Sequence, residues 1–405
     1  MARLGVDFGT SNTGAAVMAG GRPYAIPLEP GEQTLPTAIF IDFAERRYLY
    51  GSAAARAMMD GAEGRFMRAL KSILGTPLAQ EPRRLLNERL TLIEVIARFL
   101  TEIRKRSEAH TGLKFDSALS GRPVHFHSAS ATRDAQALED LTEAYRLAGF
   151  TSVEFLPEPE AAAQAVDGAG RMLIVDIGGG TSDFTVCDRK DGKTHVIASG
   201  GIRLGGTDFD KALSLAHAMP LLGYGAQIGA EIGAKTHAAP RALFHDLASW
   251  EKIPFVYDAA VLREVQRWIR LAPQPHLFER LADVLESHLG HDIAYAVEAG
   301  KIAANGADAG EIALDVVERG LSITLAKEAL TAALSGYGEE IATCAMDTLR
   351  AAGCAPDTVD QVVYVGGSSL LNAVRGAMTR ALPQAQPVDS EVFTAVVHGL
   401  AIAAE

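Results

Sequence analysis

The stretch Leu173–Asp188, LIVDIGGGTSDFTVCD, holds residues suited to phosphate chemistry. Two carboxylates, Asp176 and Asp183, flank the three glycines Gly178–Gly180. Consecutive glycines let the backbone approach a bulky group and turn several N–H donors into one concavity, which suits a phosphate. Acids beside such a cradle favour a hard cation such as Mg²⁺, which prefers oxygen ligands. The pattern also fits an ordinary glycine hairpin with exposed acids, so the residues of this stretch leave both interpretations open.

An internal repeat begins near the start of the chain. Leu4–Met18, LGVDFGTSNTGAAVM, has the same order of apolar strand, Asp, Gly, Thr-Ser and apolar strand when Asp7 is set on Asp176. The two copies lie too far apart for a solenoid and predict two related domains. Two such loops facing each other would hold one polyphosphate from both sides. A Walker loop or a Rossmann Gly-x-Gly-x-x-Gly after a strand fits the sequence less well.

Length and composition limit the class of protein. The chain has 405 residues, 48% hydrophobic and 22% charged, with a formal net charge of −12. This charge argues against nucleic acid or an anionic membrane as the main partner. Three cysteines without metal-ligand spacing fit a reducing compartment. With no signal peptide at Met1 and no apolar run of about 18 residues, we expect a cytoplasmic protein.

The remaining candidates depend on predicted elements that would position them. Apolar spacing predicts a helix over Phe66–Leu74, with Lys71 off the centre of its apolar face, where a lysine is usually solvated. Pro159 indicates a helix start, with Glu158 beside it. Glu158 is either a favourable charge at the helix N-terminus or a carboxylate that orients water in a cleft. Asp116–His127 is expected to contain a short strand, followed by Gly121-Arg122-Pro123 and then Val124–His127.

Five motifs, taken in order, resemble those of one family. They are DFGTSN at 7–12, Glu-Pro-x-Ala-Ala-Ala at 158–163, DIGGGTSD at 176–183, LGGTDFD at 204–210 and VGGS at 365–368. This order resembles the DnaK-type heat-shock protein 70 chaperones, within the superfamily of actin, sugar kinases and heat-shock ATPases. The resemblance spans nearly the whole chain. Among relatives, the sequence is most similar to the short, divergent YegD-like chaperones.

The resemblance implies an α/β fold of the two-lobed actin-like ATPase type, with duplicated ribonuclease H-like domains and capping subdomains. Lobe I would cover 1–167, with its base at 1–32 and 93–167 and its cap at 33–92. Lobe II would cover 168–387, with its base at 168–206 and 320–387 and its cap at 207–319. A C-terminal helix within 388–405 would return to lobe I. Because the chain ends at Glu405, we expect it to lack the family's peptide-binding domain.

The resemblance also implies a site, residue by residue. Asp7 and Asp176 would hold Mg²⁺, mostly through water. The catalytic residues would be Lys71, Glu158, Asp176, Thr181 and Asp183. The ATP phosphates would contact Gly9, Thr10, Ser11, Gly178, Gly179, Gly180, Gly205 and Gly206. The nucleoside would contact Glu298 and Lys301 at the ribose, Asn305 at the adenine, and Gly366, Gly367, Ser368 and Leu370 along the adenosine.

One departure concerns the adenine. The cationic side chains that sandwich the base in the family fall at Ile302 and Leu370 here, which are apolar and cannot supply cation–π stabilisation. We expect an Mg²⁺-dependent ATPase with a chaperone-like or regulatory role. Its cofactors would be ATP/ADP and Mg²⁺, with K⁺ as a further candidate, and its partners a nucleotide and a client or co-chaperone protein. The alternatives are a nucleotide-binding pseudo-ATPase, a small-molecule kinase and an actin-like filament protein.

Overall fold

The computed structural model describes residues 2–165, 170–190, 193–229, 236–389 and 394–405. Its strands are β1 (Arg3–Phe8), β2 (Asn12–Ala19), β3 (Arg22–Ala25), β4 (Thr34–Pro36), β5 (Ala38–Asp42), β6 (Arg47–Tyr50), β7 (Gly64–Arg68), β8 (Arg83–Leu85), β9 (Glu88–Leu90), β10 (Ser117–Arg122), β11 (Ser152–Pro157), β12 (Gly170–Ile177), β13 (Ser182–Lys190), β14 (Lys193–Ile202), β15 (Gln227–Gly229), β16 (Thr236–Ala238), β17 (Ala309–Ala313), β18 (Ser322–Ala326), β19 (Gln361–Val365) and β20 (Gln386–Asp389). Its helices are α1 (Ser52–Met59), α2 (Pro77–Gln80), α3 (Leu92–Thr111), α4 (Ala131–Leu147), α5 (Glu158–Ala165), α6 (Gly206–Leu213), α7 (Arg241–Leu247), α8 (Ala259–Leu271), α9 (Pro275–Glu286), α10 (Gly290–Gly306), α11 (Lys327–Ala351), α12 (Asn372–Ala381) and α13 (Ala395–Ala403).

The chain divides into two compact units, 1–206 with 337–405, and 207–336. The lobe and cap boundaries given above stay predictions. The predicted boundary at 167/168 and residues 390–393 of the C-terminal segment lie outside the described residues. In the part of the chain that the structure describes, no helix combines the length and the apolar character needed to cross a bilayer.

Two sheets of the larger unit share one topology. The first has the order β11-β10-β1-β2-β3, and the second β14-β13-β12-β19-β20. In each, a strand pairs antiparallel with the next strand along the chain and parallel with a strand reached by a crossover, β1 with β2 and β10, and β12 with β13 and β19. The predicted duplication within an α/β fold is therefore confirmed, because each copy of the repeat forms an antiparallel strand pair whose first strand also pairs in parallel with a later strand.

Two helices lie between these sheets. Helix α13 packs against α5 and against β1, β2 and β10, while α5 also packs against β12 and β13. Their small side chains let the helices approach closely: a Cβ at Gly399 would lie only 1.7 Å from the carbonyl oxygen of Ala161. The shared core contains Ala161–Ala163, Met172, Ile174 and Leu400, all fully buried. Glu158, at the first position of α5, is thereby fixed beside both sheets.

One local prediction is wrong. Phe66–Arg68 belongs to β7, which pairs with β5, so the predicted helix over Phe66–Leu74 does not form. Only a short 3₁₀ turn, Leu70–Ile73, follows. A short apolar run does not by itself distinguish a buried strand from a helix, and pairing with β5 decides here. The short strand expected within Asp116–His127 does form, as β10, which ends at Arg122.

The smaller unit, 207–336, has its own buried core. Trp250, Phe244, Phe278 and Leu281 are among its buried apolar side chains. Among its described residues, β15 pairs antiparallel with β16, and β17 pairs antiparallel with β18. An ion pair lies in its interior, where Lys301 Nζ donates a hydrogen bond to Asp210 Oδ1 at 2.6 Å and Trp250 Nε1 donates to the other carboxylate oxygen at 3.1 Å.

Candidate functional site

Four carboxylates and one lysine come together in the larger unit. Asp7 lies on β1 and Asp176 at the equivalent position of β12, each next to the last residue of its strand. Asp183 faces Asp176 directly across the β12–β13 pair. Lys71 Nζ donates a hydrogen bond to Glu158 Oε1 at 2.5 Å, and both side chains are buried. Glu158 is therefore more than a helix N-terminal charge, because it compensates a buried ammonium.

The carboxyl pKa values reflect this crowding. Burial, followed by the charge of Glu158, raises the pKa of Asp7 to about 7 and that of Asp183 to about 8. Burial and the charges of Glu158 and Asp183 raise the pKa of Asp176 well above its ordinary value. Burial would lower the pKa of Lys71, but the charges of Glu158 and Asp7 outweigh it and raise that pKa. The cluster therefore favours an additional positive charge, supplied by protons or by a cation.

Glycines leave the space that these acids occupy. A Cβ at Gly121 would lie 3.1 Å from Glu158 Cγ and 3.6 Å from Asp7 Oδ1. A Cβ at Gly366, whose φ is +77°, would lie 2.9 Å from Asp176 Oδ1. The predicted adenosine residue Gly366 thus borders the acid cluster.

The two glycine-bearing turns face each other. A Cβ at Gly179 would lie 2.5 Å from Ser11 Oγ, and one at Gly180 would lie 3.0 Å from Thr10 Oγ1. Behind them, the N–H of Gly206 donates to the Gly178 carbonyl at 3.0 Å. The structure thus brings the predicted phosphate-binding turns together. Gly205 packs on the same turn, and Gly9 closes the tight turn before Asn12.

The segment carrying Lys71 is held from several sides. Ala69, just before it, has a φ of +59°, a strained conformation for a non-glycine residue. The buried Asp140 carboxylate accepts from the N–H of Gly75 at 2.8 Å, and His127 Nε2 donates to the Leu74 carbonyl at 2.7 Å. These contacts fix the position of Lys71 without touching its side chain. Sequence patterns gave no signal for Asp140 or His127, because their partners lie more than fifty positions away.

A cavity opens beside the turns. Its lining includes Thr10, Lys71, Gly180 and Thr181, together with Arg203, which the sequence prediction missed. Arg203 directly precedes the Leu204-Gly205-Gly206 motif, and this position in the sequence could have identified it as a candidate site residue. Asp183 is held at this end by the N–H of Val124, which donates to Oδ1 at 2.6 Å, and by the Thr181 side chain.

The predicted nucleoside residues are divided between the units. Gly366, Gly367, Ser368 and Leu370 belong to the larger unit, where Gly367–Leu370 forms a 3₁₀ turn after β19. Glu298, Lys301 and Asn305 lie on α10 of the smaller unit. The ammonium of Lys301 is already bound to Asp210, so contact with a ribose would require Lys301 to share that ion pair. The nucleoside roles stay predictions.

The acid cluster fits a hydrated divalent cation better than a directly ligated one. Among the described residues, no three His, Cys, Asp or Glu side chains are arranged to ligate one metal ion directly. The raised pKa values of Asp7, Asp176 and Asp183 nevertheless show that positive charge would stabilise the cluster. Mg²⁺ usually keeps several of its waters when it binds a protein, and such a shell can reach carboxylates that do not touch the ion.

Comparison with known families agrees with this geometry. The family model described as Hsp70 protein matches residues 82–222. The matched segment contains Glu158, Asp176, the turn 178–181, Asp183 and Gly205-Gly206. Lys71, Asp7 and Gly366 lie outside it and are brought to the same place by the fold. The duplicated α/β architecture is consistent with the actin-like ATPase fold of that family, and the matched segment of the chain is similar to Hsp70 proteins.

Proposed function

We propose that the chain is a Mg²⁺-dependent ATPase resembling the nucleotide-binding domain of DnaK-type chaperones. One observation carries this proposal: the Lys71–Glu158 ion pair lies among Asp7, Asp176 and Asp183, beside the two facing glycine turns. A buried lysine, several carboxylates and a concave backbone are the parts that phosphoryl transfer to water needs.

The chemistry would divide among these residues as follows. Lys71 and backbone N–H groups of the turn 178–181 would stabilise charge on the terminal phosphate. Glu158 and Asp183 would orient a water molecule, whose oxygen bonds to the γ-phosphorus as the bond to the β–γ bridging oxygen breaks. ADP and inorganic phosphate would leave, and the proton of the water would pass to a carboxylate of the cluster.

Asp7 and Asp176 would hold Mg²⁺ through its water shell, and the ion would offset the charge of the phosphates. Its positive charge would also favour the ionised forms of both acids, whose pKa values are raised by burial and then by neighbouring carboxylates. K⁺ is a second candidate cation for the same oxygen-rich surroundings.

A pseudo-ATPase is the second candidate function. It is favoured by Ile302 and Leu370, which fall where the resembled family has adenine-stacking cations. Both are exposed, Ile302 to 64% and Leu370 to 38%. Without cation–π contact, the chain would bind adenine weakly or accept other bases. In that case triphosphate binding would persist while turnover and base selectivity fell.

The cellular role follows from the family and is the broadest part of the proposal. We propose a chaperone-like or regulatory ATPase of the YegD-like type, acting in the cytoplasm. A client or co-chaperone protein would respond to its nucleotide state.

Turnover measurements test the proposal. Phosphate release from ATP with Mg²⁺ should be measured for the wild type and for Lys71→Ala and Asp176→Ala. We expect a measurable rate in the wild type and severe loss in both variants. Unchanged turnover in both variants would refute the site assignment. Binding of Mg²⁺-ATP without turnover in the wild type would favour the pseudo-ATPase.

A further inference from the structure

Arg203 is fixed relative to the turn 178–181. The carbonyl of the next residue, Leu204, accepts a hydrogen bond from Ser182 Oγ at 2.7 Å. Gly205 then packs on the turn itself, since a Cβ there would lie 2.7 Å from the Gly180 nitrogen. Any movement of this turn would therefore carry Arg203 with it.

Its side chain reaches across to the segment that carries Lys71. Arg203 Nη2 donates to the Ser72 carbonyl at 2.8 Å, and its backbone N–H donates to Ser128 Oγ at 3.3 Å. The same arginine lines the cavity that Lys71, Thr10 and Gly180 also line. The guanidinium thus spans the cavity end where the two glycine turns meet.

Lys71 and Arg203 both line the cavity, but they differ in how far nearby carboxylates compensate their charges. The Lys71 ammonium is bound by Glu158 and also faces Asp7 and Asp183, so its charge is largely compensated. Arg203 is exposed, and within the described ranges no carboxylate forms an ion pair with it. A guanidinium has five N–H donors in a planar fork that matches phosphate oxygens, and the Ser72 carbonyl uses one of its groups.

We infer that Arg203 binds the terminal phosphate of the nucleotide, and the inorganic phosphate produced from it. This inference rests on the proposed ATPase function and adds a recognition residue to the same site. It predicts selectivity for the triphosphate over the diphosphate, because ADP lacks the γ-phosphate that Arg203 would bind.

Arg203→Ala tests the inference through three affinities measured with Mg²⁺: those for ATP, ADP and inorganic phosphate as product inhibitor. Losing a charge-assisted contact should weaken ATP and phosphate binding about tenfold or more. ADP affinity should stay unchanged. Arg203→Lys should recover part of the loss, because a lysine keeps the charge but not the fork.

Arg133→Ala is the matched control. Like Arg203, Arg133 is exposed and lies near His127, since burial lowers the His127 pKa and both arginines lower it further. Arg133 is not among the cavity-lining residues, so its removal should leave all three affinities unchanged.

The outcomes separate this inference from the proposed function. If the wild type binds Mg²⁺-ATP but Arg203→Ala changes no affinity, the inference fails alone. Equal weakening of ATP and ADP would also overturn it, because Arg203 would then only connect the turn to Ser72. Failure of the wild type to bind Mg²⁺-ATP would overturn the proposed function and this inference together.

Discussion

The two strand–turn–strand copies have the same backbone plan but carry different charges. Each places an aspartate next to the end of its first strand, Asp7 in one copy and Asp176 in the other. Across the strand pair, Asp176 faces Asp183, whereas Asp7 faces Gly14. The second copy thus brings two carboxylates of its own, and the first brings one.

The first copy receives its other charges from segments outside the repeat. Glu158 comes from the start of α5 and Lys71 from the segment after β7. The turns differ as well, since Gly9–Ser11 separates the first strand pair and Gly178–Thr181 the second. The comparison teaches that duplication supplies two similar strand–turn–strand supports, while the charged residues around them come from different parts of the chain.

Removing the charge of Lys71 should have the largest effect on ATP turnover. Lys71→Met keeps a long, unbranched side chain but removes its charge. Among the described residues, Lys71 is the only cation bound to Glu158. We expect turnover to fall about 10³-fold, as when a preorganised charge-stabilising donor is lost. Steady-state ATP turnover measures it, and Lys114→Met is the control because that lysine is 84% exposed. A fall of less than tenfold would remove Lys71 from the chemistry.

Removing the charge of Asp183, the second carboxylate of the second copy, should have the next largest effect on turnover. Asp183→Asn preserves shape and removes a charge that has no equivalent in the first copy. We expect about a 10²-fold loss of turnover, near the lower limit for a positioned acid or base. Asp188→Asn, on the same strand and paired with Arg171 at 2.9 Å, is the matched control. Equal effects from both would mean that the position facing Asp176 has no special role.

The pKa shifts predict how the metal-free protein responds to pH. The pKa values of Asp7 and Asp183, about 7 and about 8, lie above 3.8, so the folded state retains protons that the unfolded state has released. Stability should therefore fall as pH rises from about 4 to about 8. Urea denaturation in a chelator measures this slope.

Two substitutions show how much each strand–turn–strand copy contributes to the pH dependence of stability. Asp183→Asn should flatten it near pH 8 and Asp7→Asn near pH 7, and added Mg²⁺ should stabilise the wild type more at pH 8 than at pH 5. A wild-type slope that neither substitution alters would show that other groups cause it.

The contact between the two turns should give the smallest effect. Gly179→Ala would place a methyl group 2.5 Å from Ser11 Oγ, whereas the nearest atom to a methyl at Gly178 would be 3.9 Å away. We expect Gly179→Ala to lower the free energy of unfolding by about 1–3 kcal/mol and Gly178→Ala to be nearly neutral. Thermal or urea denaturation compares the two, and equal effects would argue against close packing of the turns.

Local patterns predicted the repeat, and longer-range contacts determined the rest. Apolar runs broken by glycine identify β1–β2 and β12–β13 because adjacent strands pair with each other. The same reasoning failed at Phe66–Arg68, whose partner strand β5 is distant in sequence. Arg203 and Asp140 acquire their roles through contacts with Ser72 and Gly75, which no spacing rule reveals.

Calorimetric titration with Mg²⁺-ATP tests the central claim, that the two copies and Lys71 form one triphosphate site. The wild type should bind one ATP per chain in the presence of Mg²⁺, and Asp176→Ala should abolish or strongly weaken that binding. An absence of binding by the wild type, or equal affinity in the two proteins, would contradict the account.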